Sequence, residues 1–143
     1  MKAISIRHPW ASWVALGAKD VENRTWEVSY RGPLLIHAGK DQSMSAAITY
    51  NSLSAEERRL VDEARALVPA EEQDVGWEYG ALIGRVDLVG ICTAGEKGST
   101  SPWFEGPRGW IFANARALKR AIPYRGQLGL FDVPDDLVAE VLR

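Results

Sequence analysis

Between His8 and Trp26 the chain reads HPWASWVALGAKDVENRTW, a helix, a glycine stop and a strand in immediate succession. Pro9 suits the first position of a helix, because its fixed φ matches that turn and its missing N–H would be unpaired there anyway. Trp10, Trp13 and Val14 then share one face at i, i+3 and i+4. Gly17 ends the helix, since glycine adopts the left-handed cap at least cost. Val21 to Trp26 reads as a short extended run, and its alternation points Glu22, Arg24 and Trp26 to one side. Lys19 lies in the turn between helix and strand. The handover thus sets a carboxylate and a guanidinium on one strand face beside a lysine, which is more polar chemistry than packing alone requires.

Elsewhere the patterns are plainer. Residues 2 to 6, KAISI, alternate and predict a first strand. PLLIHA, from Pro33 to Ala38, is an almost continuous apolar run and predicts a central strand covered on both faces. His37 and Lys40 lie at its end, where Gly39 permits a sharp exit. From Ser43 to Leu67 the pattern turns helical. Ser54 and Glu57 fit a capping box, and Leu60, Val61, Ala64 and Leu67 form one apolar stripe. Pro69 and the acidic run from Glu71 to Asp74 predict a loop, so residues 43–75 read as a helical insert covering the core.

The stretch YGALIGRVDLVGICT, from Tyr79 to Thr93, is β-rich, and its internal glycines predict bulges or tight curvature. Arg85 and Asp87 share a parity and can pair on one face. Residues 94–109 predict a long loop, Trp110 to Ala113 a strand, and Ala115 to Ala121 a short turn or helix. Gly126 to Val133 reads as a further strand, and Pro134 opens a terminal helix through Leu142. Short strands, curvature glycines and outlying helices predict an α+β fold, a small β-barrel of about five or six mixed strands with peripheral helices.

A length of 143 residues favours one domain spanning 1–143. The 17 basic and 19 acidic residues leave a net charge of −2, which argues against gripping nucleic acid by bulk charge. The N-terminal forty residues are nevertheless basic and the middle of the chain is acidic. Cys92, the only cysteine, sits among apolar neighbours and reads as a buried, inert thiol. With no signal-peptide core and no long apolar run, the expectation is a soluble cytoplasmic protein without a membrane partner.

Two histidines without clustered cysteines or carboxylates predict no metal, and no Gly-rich stretch matches a phosphate loop, so no cofactor is expected. Ser99, Thr100 and Ser101 lack a nucleophile elbow and read as a polar loop. Trp13 reads as core, whereas Trp10 is balanced between core and base stacking. Trp103 and Trp110 bracket Gly106, Pro107 and Arg108 as an aromatic gate or as loop anchors.

The segment from Ile4 to Trp26 resembles the opening motif of the ASCH family, within the PUA-like superfamily. The matching residues are Pro9, Trp10, Gly17, Lys19, Glu22 and Arg24, with His8 where the family usually has glutamine. The resemblance continues through RGPLLIHAGK, GALIGRVDLVG and PYRGQLGLFDVP. It implies a PUA-like barrel with a polar cleft after strand one, and a ligand that is single-stranded RNA, a nucleotide or a nucleoside. The candidate ligand-binding residues are His8, Trp10, Lys19, Glu22, Arg24, His37, Lys40 and Trp110. The resemblance also implies an alternative, a hydrolase on a modified nucleoside or on RNA, with Lys19 and Glu22 catalytic. Small deacylating members carry threonine where this chain has Glu22, so that hydroxyl nucleophile is missing.

Overall fold

The alternation of the first residues becomes strand β1 (Lys2–Ile6), and the handover becomes helix α1 (Trp10–Ala15) and strand β2 (Val21–Arg24). The computed structural model describes residues 1–70 and 77–142. The apolar run forms β3 (Gly32–Ala38), in which Leu34 to Ala38 are all buried. Helices α2 (Ala46–Ser52) and α3 (Ala55–Ala66) follow, then the long strands β4 (Ala81–Cys92) and β5 (Arg108–Pro123). Strand β6 (Leu130–Asp132) and helix α4 (Asp135–Val138) end the described chain.

The six strands of the described residues form one mixed sheet in the order β2-β5-β4-β3-β1-β6. Among the described residues only β1 and β3 pair in parallel, with Ser5 opposite His37. The sheet is curled into a half-barrel, and the α+β architecture fits a small PUA-like barrel. Its curvature has a local cause: the β4–β5 register shifts three times, and Gly84 and Gly90 each bound one of those shifts. Gly84 also admits the helix. A Cβ there would stand 2.5 Å from the Ala15 Cβ, so only glycine lets α1 lie against the sheet. Beneath α1 lie Ile4, Ile6, Leu34, Ile36, Val86 and Trp110, all buried. The opposite face buries Leu35, Leu82, Leu118 and Phe131 against Val138 and Val141.

Several elements depart from the sequence pattern. Residues 115–121, expected as a turn or helix, belong to β5. Their alanines, leucine and basic residues favour a helix intrinsically, but pairing with β4 through Ala117–Gly84 and Ile122–Leu82 overrides that preference. The strand expected over 126–133 is only Leu130–Asp132, and the terminal helix only one turn. Leu67 caps α3 and is 85% exposed, so the apolar stripe ends before it. The capping box of Ser54 and Glu57 forms as expected. The acidic run expected as a loop lies outside the described residues. Among the described residues no helix is long and apolar enough to cross a membrane.

Candidate functional site

Gly17, at φ +84°, turns the chain back under its own helix. The backbone N–H groups of Ala18 and Lys19 both donate to the Trp13 carbonyl, at 2.9 and 3.0 Å. This fold-back carries Lys19 inward until its side chain is 5% exposed. The ammonium donates to the Val21 carbonyl and, at 2.9 Å, to Glu22 Oε1. Its third side faces the Trp10 ring, 5.7 Å from the centroid, within cation–π range. Glu22 and Arg24, two apart on β2, meet as strand alternation requires: Arg24 Nη2 donates to Glu22 Oε2 at 3.0 Å and to the Ser5 carbonyl at 2.9 Å. Lys19, Glu22 and Arg24 therefore form one partly buried network, in which each carboxylate oxygen accepts from a different cation.

Lys19 and Glu22 line a cleft of about 330 Å³. Trp10 and Trp103 also line it, their ring centroids 6.4 Å apart and nearly perpendicular. Trp103 is anchored by donating from Nε1 to the Ala18 carbonyl at 3.0 Å. Trp10, Trp13 and Trp103 pack with Leu53 and Val61, so α1, α3 and the 94–107 loop are locked together at the cleft. Ser52, Leu53 and Glu57 reach the cleft from the helical insert, and Glu105 from the loop. Asn23 is a brace: Oδ1 accepts from the N–H groups of Glu105 and Gly106, and Nδ2 donates to the Trp103 carbonyl.

The remaining candidates stand elsewhere. Arg24 does not line the cleft and acts on it through Glu22. Trp110, expected as a ligand contact, is fully buried beneath α1, stacks edge-on against Trp26 and donates to its carbonyl. It is a core residue, because β5 lies inside the sheet between β2 and β4 and the side chain packs with Ala11 and Val14 of α1 and with Leu34 and Val86. Lys40 packs its methylenes over Gly80, away from the cleft residues. His8 is buried between Trp77 and Tyr79, and its Nε2 donates to the Glu78 carbonyl at 2.7 Å. His37 faces the opposite core, where Nε2 donates to the Tyr124 carbonyl and Nδ1 meets the Ser5 hydroxyl. Ser101 of the polar loop is held by Asp20 at 2.6 Å. Among the described residues no group of three or more His, Cys, Asp and Glu is placed to hold a metal.

Glu57, Glu105 and Leu53 escaped the sequence reading. Glu57 carried a visible signal only as a cap, and nothing local in the sequence announces that the insert and the loop meet over β2.

Burial lowers the pKa of both histidines from the ordinary imidazole value, and the nearby Lys40 charge pushes His37 the same way. The geometry agrees, since His8 Nδ1 is buried without a partner and could not hold a proton there favourably. The unfolded chain therefore takes up these protons first as pH falls below about 6.5. Stability should be full near neutrality and decline through that range. Thermal melts between about pH 7.5 and pH 5 should show a falling melting temperature, flattened in a His8→Gln, His37→Gln double variant. An unchanged pH slope in that variant would assign the effect to other groups.

A family model for the ASCH domain matches residues 4–122. No curated protein matches the chain. The match begins in β1 and ends in β5, so it encloses the handover, the cleft network and most of the sheet. This chain belongs to the ASCH domain family, a PUA-like fold.

Proposed function

We propose that the cleft holds a single nucleobase, presented by single-stranded RNA or by a free nucleotide or nucleoside. The observation that carries this reading is the Lys19–Glu22 ion pair, backed from outside by Arg24, beside a partly exposed tryptophan in one cleft. A base offers a π-face to Trp10, and its polar edge meets Glu22. A volume of about 330 Å³ suits one base or nucleoside and not a duplex. The family is a further support, because RNA binding is the role proposed for ASCH domains.

The test is a fluorescence anisotropy titration of a short single-stranded RNA. Binding of micromolar strength or weaker is expected, with a shallow salt slope, because both cations of the network are already paired within the protein. Trp10→Ala should weaken it about tenfold, the scale of one lost base–aromatic stack. A steep salt slope, or a preference for duplex, counts against the cleft as the site.

A second reading is favoured by an amine and a carboxylate, Lys19 and Glu22, lining one cleft 2.9 Å apart, the residue types of a general acid and base. It makes the protein a hydrolase on a modified nucleoside or on RNA. The lack of a hydroxyl at position 22 ranks it second. Deacylation of an acylated cytidine by the wild type, lost in Glu22→Gln, reverses the ranking.

A further inference from the structure

We propose that the cleft selects against phosphate and takes an unphosphorylated base or nucleoside whose edge is rich in hydrogen-bond donors. This rests on the cleft being a nucleobase site and adds what class of ligand enters it. The one cation that lines the cleft is already committed, and the other stands outside it. Lys19 has its three sides turned to the Val21 carbonyl, Glu22 and the Trp10 ring. Arg24 stands outside the lining and spends Nη2 on Glu22 and Ser5. Against the one lining ammonium stand three lining carboxylates, Glu22, Glu57 and Glu105.

Their acceptor capacity is not used up. Glu57 gives Oε1 to the Ser54 N–H and keeps its other oxygen. Glu105 is exposed, and among the described residues no basic group lies within salt-bridge distance of its carboxylate. Asn23 contributes no free acceptor or anion-binding cation, because its amide is spent on bracing the loop. A phosphate entering here meets like charge in a partly dehydrated cleft, which is unfavourable. An exocyclic amine, or a base that carries positive charge, meets unsatisfied acceptors. In an RNA ligand the base enters and its flanking phosphates stay outside.

The experiment is calorimetric titration of wild type, Glu105→Gln and Glu57→Gln with the four ribonucleosides and with their 5′-monophosphates. Gln serves at position 57 because it preserves the capping box. At low salt, the nucleoside that binds best should exceed its own monophosphate by about fivefold or more, on the scale of one like-charge contact. The gap should narrow in both variants and at high salt, since these carboxylates are partly exposed. Monophosphates that bind as tightly as nucleosides, with no response to Glu105→Gln, overturn the inference and leave the nucleobase site standing. If no nucleoside and no monophosphate binds, the nucleobase site itself fails, and the inference with it.

Discussion

Glu22→Gln should lower the stability of the folded protein by about 2–4 kcal/mol and abolish binding in the cleft. Glu22 is the shared partner of two cations, at 2.9 Å from Lys19 and 3.0 Å from Arg24. Its side chain is 12% exposed and that of Lys19 5%, so water screens this contact poorly. Glutamine keeps the shape but supplies one carbonyl oxygen and an amide that only donates. One cation must then face N–H groups, and the other loses a full negative charge. Removing one member of a buried ion pair is far costlier than the pair's net worth, because a buried charge is left behind. The partial exposure of Arg24, 24%, places the expected cost at the lower end of the usual range. Urea unfolding reads this as a lower midpoint with an unchanged slope. The control is Glu27→Gln, whose carboxylate is 62% exposed and lies 3.4 Å from Arg108. Loss of that surface pair should cost no more than about 0.5 kcal/mol. Equal effects at the two positions would show that the network is not a buried one.

Trp110→Ala should be the more severe change in stability and the milder in binding. The side chain is completely buried, packs edge-to-face on Trp26 at 4.8 Å and donates Nε1 to the Trp26 carbonyl at 3.1 Å. Truncation leaves a cavity under α1 and orphans that carbonyl. Large-to-small changes of this kind cost about 3–5 kcal/mol. For a chain of this length the melting temperature should fall by roughly 10 °C or more. Trp110 does not line the cleft, so the variant, assayed well below its melting temperature, should hold ligand within about twofold of wild type. Loss of binding in a variant whose folded fraction is intact would return Trp110 to the ligand site.

How far the sequence reached depends on the range of the interaction. The capping box needs only Ser54 and Glu57, three residues apart, and it forms. The handover is equally local: Gly17 stops α1, and alternation sets Glu22 beside Arg24. The apolar run from Leu34 to Ala38 marks a strand buried on both faces, which is what β3 is. Each of these patterns is fixed by neighbours a turn or a strand step away.

Other features needed partners distant in the chain. Residues 115–121 carry helix-favouring side chains, yet β4 offers their backbone a ladder, and the paired strand wins. His8 and His37 look alike in sequence as polar side chains near strand ends. Their burial follows from carbonyls of Glu78 and Tyr124, 70 and 87 residues away. Trp103 and Trp110 looked interchangeable around their loop. Packing between α1 and the sheet buried Trp110, while Trp103 packed between α1 and the insert.

The sequence by itself determined the helix–glycine–strand handover, the central apolar strand and the shared strand face of Glu22 and Arg24, with Lys19 in the turn before it. Backbone conformation and side-chain periodicity are settled within a few residues, so those features are written where they occur. Only the tertiary structure decided that Glu57 and Glu105 crowd the same cleft, that Lys19 is no longer a free cation there, and that Arg24 stands outside it, paired with Glu22. Charge at a site sums over every element that folds against it, and no local pattern states which elements those are.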